Sequence, residues 1–167
     1  MHLKLSRIIL IVTSIVIILT VIYINFSAQK QSKNIYSVFN SETIRFNYLV
    51  QNLTPEKKAV LFCDESNPDC QYIMINMVKI LLDDANVSKF DNIYLVDTKD
   101  MDYGILPSSL KSAYGFSHIP AFVILNYDNS KINYFSVLEW NSTKPFTIDD
   151  LKQWMKENKL WLNTYTN

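Results

Sequence analysis

Cys63 and Cys70 are the only thiols in this chain, seven residues apart at the junction of two patterns. Before them runs the short apolar stretch Ala59-Val60-Leu61-Phe62, and after them a long helical pattern begins. Two thiols so placed can stay inert, close a disulfide, or exchange with a disulfide in a substrate. Exchange needs a thiolate that attacks and a second thiol that resolves the mixed disulfide. Asp64, Glu65 and Asp69 crowd the stretch, and nearby negative charge raises a thiol pKa and opposes that chemistry. A bridge needs the two Cα atoms within about 7 Å of each other. A strand end and the first turn of a helix are expected to lie a little farther apart, although a rearranged loop could close the gap. Three readings therefore stand in this order: an inert or structural Cys63, a Cys63–Cys70 bridge, and a working redox pair.

The other chemistry-bearing residues are few. His118 precedes Ile119-Pro120 and could tune a thiol or touch a peptide, but a solvated loop histidine is the ordinary reading. His2 stands before the N-terminal apolar segment and is incidental. Two histidines and two cysteines form no zinc spacing, and no residue pattern calls for a metal or another cofactor. Ile73, Met74 and Met77 read as core. Trp140, Trp154 and Trp161 read as packing residues, with Trp140 the one that could serve an interface near a sheet edge. The four Asn-x-Ser/Thr sequons, opened by Asn25, Asn52, Asn86 and Asn141, read as chance in an Asn-rich chain.

These residues need elements to hold them. Glu42 to Leu53 is compatible with a helix, broken by Thr54-Pro55. Ala59–Cys63 is an uninterrupted apolar run, as in a strand buried on both faces. Cys70, Ile73, Met74, Met77, Val78, Leu81 and Ala85 recur at steps of three and four, one face of a helix. Asn67 suits its N-cap and Pro68 its first position, with Asp69 complementing the dipole. Ile93–Val96 reads as a second strand and residues 105–114 as a short helix. Ala121–Leu125 and Ile132–Leu138 read as a hairpin around Tyr127-Asp128-Asn129-Ser130. Ile148, Leu151, Trp154 and Met155 give a closing amphipathic helix, capped at or near Thr147. Helix crossovers imply parallel strands, and the hairpin makes the sheet mixed, with helices on both faces.

The N-terminus differs from the rest. Ile8–Ile24 holds 17 residues without a charge, about enough to cross a bilayer core. Cleavage after Ala28 would put Phe26 at the −3 position, so the segment reads as an uncleaved anchor rather than a signal peptide. Lys4 and Arg7 before it and Lys30 and Lys33 after it leave only a weak bias toward a cytoplasmic N-terminus. The short tail before the segment favours the same orientation. The expectation is a membrane anchor over residues 1–26, with the membrane met at 8–26. A polar stem over 27–40 and one α/β domain over 41–167, facing outward, complete it. The whole chain has no net charge. Beyond the stem, 12 bases face 16 acids, a net of −4, and no basic patch argues for nucleic acid.

Two segments carry a resemblance. One is the strand followed by Asn67-Pro68-Asp69-Cys70 and a helix. The other is Tyr114-Gly115-Phe116-Ser117-His118-Ile119-Pro120-Ala121-Phe122. With the element order, they resemble the thioredoxin-like superfamily over roughly residues 41–160. Within it, the anchor, the stem and the Pro-Asp-Cys core look like the membrane-anchored accessory proteins of Gram-positive bacteriocin clusters. The segment Glu139-Trp140 adds to that likeness. The resemblance implies a cis Ile119–Pro120 bond beside the redox motif. It also implies that Asn67 occupies the position of the nucleophilic cysteine and Cys70 that of the resolving one. The family's buried acid becomes Leu61, and its lysine partner becomes Ile93.

The first functional expectation is therefore a tethered thioredoxin-fold module without standard thiol-disulfide exchange. It would hold an extended peptide or a component of the secretion machinery in a groove around Asn67, Pro68, Asp69, His118, Ile119 and Pro120. The alternative is a thiol-disulfide oxidoreductase using Cys70 alone or an atypical Cys63/Cys70 pair. A third reading is an anchored structural domain whose groove is unused.

Overall fold

A computed structural model describes residues 13–23, 36–40, 42–101 and 105–161. The chain divides into two compact units, Met1–Asn34 and Ile35–Asn167. In the first, residues 13–23 are helical. Among the described residues no helix is long and apolar enough to cross a membrane. The remainder of the apolar segment 8–26, its flanks Lys4, Arg7, Lys30 and Lys33, and the stem up to residue 35 lie outside the described residues, as does His2.

The second unit is built on five strands: β1 (Thr43–Arg45), β2 (Lys58–Cys63), β3 (Ile93–Asp97), β4 (Ala121–Asp128) and β5 (Lys131–Glu139). They lie in the order β1-β3-β2-β4-β5. β1, β3 and β2 are parallel, while β4 is antiparallel to both β2 and β5. Helices longer than a single turn pack on this sheet. The first, α1, runs from Pro68–Ile73 through a π turn at Met74–Val78 to Lys79–Ala85; α2 is Pro107–Tyr114 and α3 is Ile148–Glu157. The sheet is mixed and carries helices on both faces, as the sequence pattern implied.

β2 is the middle strand of the sheet, and its continuous apolar run feeds two cores. Ala59, Leu61 and Cys63 face one core, with Ile73, Met74 and Met77 of α1 and Leu151, Trp154 and Met155 of α3. Val60 and Phe62 face the other, with Phe46, Leu110 and Phe116. Successive strand residues point to opposite faces, so a strand that is apolar at every position is buried twice. The helical stripe from Cys70 to Ala85 is buried at every position named above. The closing helix starts with a capping box: Thr147 Oγ1 accepts from Asp150 N–H at 3.1 Å, and Asp150 Oδ2 accepts from Thr147 N–H at 2.7 Å.

Two expectations change. The helix expected over Glu42–Leu53 is instead β1, a 3-10 turn at Phe46–Tyr48 and a helical turn at Leu49–Asn52. Three residues are too few for a period to register, and β1 owes its existence to pairing with β3 about fifty residues away. Tyr36 and Phe39, assigned to the stem, are 6% and 1% exposed and belong to the core. Phe39 bridges Phe90, and Asn40 N–H donates to Ile93 O at 2.9 Å, so the chain is sewn to the sheet from this point onward. Trp140 is buried, as its reading as a packing residue expects.

Candidate functional site

The C-terminal end of β2 and the N-terminal end of β4 meet at one rim of the sheet. Phe62 pairs with Ala121, so Cys63 and Pro120 each lie one residue beyond that pair. The Ile119–Pro120 peptide bond is cis. Pro120 O accepts from Trp140 N–H at 3.0 Å, which ties the proline loop to the end of β5. On the other side Cys63 pairs with Asp97, and Cys63 O accepts from Thr98 N–H at 3.1 Å. The rim therefore reads, from β3 to β5, Asp97, Cys63, Pro120, Trp140.

Cys63 and Cys70 form a disulfide, with Cα atoms 5.8 Å apart. The expected separation was too long. The loop between them folds back tightly, because Asp64 Oδ1 accepts from both the N–H and the hydroxyl of Ser66, each at 2.8 Å. Asn67 N–H then donates to Asp64 O at 3.0 Å. Both cysteines are buried, at 2% and 0% exposure.

Asn67 is the N-cap of α1. Its Oδ1 accepts from Asp69 N–H at 2.8 Å and Cys70 N–H at 3.1 Å, and Pro68 follows at the first helical position. Helix N-termini leave N–H groups without intrahelical partners, and Asn67 meets two of them. Position 67, which the sequence resemblance assigns to an attacking cysteine, holds a hydrogen-bonded amide.

His118 stands on the proline loop with its side chain 61% exposed. It is not free. Glu139 Oε1 accepts from Ser117 N–H at 3.0 Å and His118 N–H at 2.9 Å, and lies 2.9 Å from His118 Nδ1. Lys111 Nζ approaches Glu139 Oε2 at 3.5 Å. Burial pushes the Glu139 carboxyl up. The hydrogen bonds from the His118 side chain and Ser117 N–H, the Lys111 charge and His118 N–H together outweigh it and hold the group below its ordinary value. Glu139 thus fixes the shape of the loop that carries Ile119-Pro120. Sequence reasoning gave it no such role. Its being the one acid in that strand was the available signal.

Two further residues at the rim went unnoticed in the sequence. Tyr36 lies in the core cluster that also holds the disulfide. Burial, followed by the charges of Glu65, Asp64 and Asp97, pushes its hydroxyl well above the ordinary tyrosine value. Tyr72, in the first turns of α1, is half-exposed and packs on Trp140 with ring centroids 5.6 Å apart. Among the described residues no group of three or more His, Cys, Asp or Glu side chains could hold a metal ion.

The site can thus offer a cis-proline loop with a fixed conformation and a capped helix start. It also offers a disulfide between two buried cysteines. Among solved structures, a thioredoxin from Trichomonas vaginalis is similar to this chain: 17% identity, a TM-score of 0.40, and coverage of 70% of this chain and 96% of that one. No protein-family model matches the chain, and no curated protein does.

Proposed function

We propose that this chain is a membrane-tethered, outward-facing accessory protein that binds an extended peptide or a secretion component along the cis-proline rim and performs no standard thiol-disulfide exchange. A role in bacteriocin export or maturation is the finer form of this reading and rests on the sequence resemblance. The observation that carries the reading is the Asn67 cap in place of a thiol, beside a disulfide whose sulfurs belong to buried residues. A helix N-terminus activates a cysteine only when the cysteine is there. The disulfide also supports an oxidising compartment, where such bonds persist.

One observation favours a second reading, an oxidoreductase working with the Cys63/Cys70 pair: the disulfide abuts the cis-proline on the neighbouring strand. Alkylation of the full chain before and after reduction, with both cysteines mapped by mass spectrometry, separates the two. The binding reading expects no labelling of the native oxidised chain, slow reduction, and no reductase activity. Rapid reversible reduction in the folded state, with turnover of a disulfide substrate, would overturn it.

A further inference from the structure

A cleft of about 550 Å³ opens at the end of the sheet opposite the cis-proline rim. β2 runs from Lys58, which lines this cleft, to Cys63 at the rim. Small-molecule sites ordinarily span roughly 300–1,000 Å³. The floor is apolar: Ala59 of β2, Ile124 of β4 and Leu160 beyond α3 line it, and all three are buried. Two rings also line the cleft, each under a lysine. Lys58 Nζ lies 4.9 Å from the Tyr94 centroid and Lys57 Nζ 3.9 Å from that of Phe135. Lys159 is the third base of the lining and Glu56 and Glu157 are its acids, which leaves one positive charge in excess. None of the five is in a salt bridge among the described residues. Lys58 Nζ donates to Asn52 O at 2.8 Å, and Glu157 Oε1 accepts from the Gln153 amide at 2.9 Å. The Lys57 and Lys159 ammonium groups donate to no acceptor among the described residues.

A second observation concerns the backbone. Leu160 N–H donates to Met155 O at 2.8 Å to close the end of α3, and Lys159, just before it, sits at φ +58°. Glycine ordinarily fills that left-handed position after a helix, because a Cβ is strained there. The other described non-glycine residues at positive φ are Asn86, Asn129 and Ser130, short polar side chains that turns commonly carry. Lys159 is the exception, and it lines the cleft. Residues held off their preferred backbone conformation gather where a protein meets its ligands. We infer that the cleft binds a small organic monocarboxylate with an apolar, ring-sized body. The carboxylate takes the free donors of Lys57 and Lys159. The body lies on the apolar floor, between the rings of Tyr94 and Phe135. Glu56 and Glu157 disfavour a more highly charged anion, since like charges on one lining repel it. This site is separate from the peptide-binding rim and does not depend on that reading.

The test is an NMR titration of the full chain that follows its backbone N–H signals. Phenylacetate supplies both charge and ring, phenylacetamide the ring alone, acetate the charge alone, and inorganic phosphate a higher charge with no ring. Phenylacetate is expected to bind about tenfold tighter than each of the others and to weaken as salt rises, as a screened interaction must. It should shift the signals of Ala59, Tyr94 and Lys159. Lys57→Met keeps the length of the side chain and Lys159→Gly relieves the strained backbone, and each should reduce the affinity several-fold. The Tm of Lys159→Gly should not fall, so its loss of binding reports the missing charge. Phenylacetamide, acetate or phosphate binding as tightly as phenylacetate overturns the inference. So does the absence of any shift, a shift confined to Cys70 and Ala121 at the rim, or unchanged affinity in both variants.

Discussion

Glu139 holds His118 at two atoms: its Oε1 accepts from the His118 backbone N–H at 2.9 Å and lies 2.9 Å from Nδ1 of the same residue. An edge-strand acid thereby sets the conformation of the loop that ends in the cis-proline. Because Glu139 titrates below its ordinary value of 4.5, its contribution to stability is fully present above 4.5 and fades as the pH falls through the lowered folded value. Glu139→Gln should therefore lower Tm at neutral pH and converge on the wild type in acid. Thermal melts of both proteins across pH check this, and a difference independent of pH would assign the loss to packing.

Removing the disulfide acts mainly on the unfolded chain. Closing so short a loop contributes roughly 2–3 kcal/mol in the chain-entropy description. Cys63→Ala with Cys70→Ala should lower stability by about that amount, measured by denaturant titration. A much larger loss would mean that the two sulfurs also hold the rim packing together.

The Asn67 cap makes a graded prediction. Asn67→Ala removes the acceptor for two N–H groups and should cost about 1 kcal/mol, whereas Asn67→Asp should be close to neutral. Asn67→Cys combined with Cys63→Ser places a thiol at the helix N-terminus ahead of Cys70. If the missing nucleophile is what silences the site, this variant gains disulfide reductase activity above background. No gain in a folded variant would mean that more than the thiol has been lost.

Gly115 ends α2 at φ +87°, and a Cβ there would meet the Tyr134 ring at 2.6 Å. Gly115→Ala should cost more than about 1 kcal/mol, from left-handed backbone strain and the clash together. Pairing it with Tyr134→Ala should recover the clash component but not the backbone component. The double-mutant cycle in denaturant gives both terms.

The parts of this fold that could be read in advance are those written locally. β2 and β4 are apolar at nearly every position and are buried on both faces. Asn67-Pro68-Asp69 states its own helix start, and Thr147 with Asp150 does the same. What escaped is non-local. β1 is held by pairing with a strand far along the chain. Glu139 reaches Ser117 across 22 residues. The bridge between Cys63 and Cys70 depended on how Asp64 and Ser66 fold their loop, a detail that spacing does not encode.

The hairpin of β4 and β5 is irregular in one place: Ile124 pairs with Ser136 but Leu125 with Tyr134, so Phe135 is an extra residue on the outer strand, with Lys57 Nζ 3.9 Å above its ring. The opposite edge, β1, is only three residues long. A bulged edge and a stubby one both make poor templates for another strand. This division keeps loose strands, and other copies of the chain, from extending the sheet sideways into aggregates.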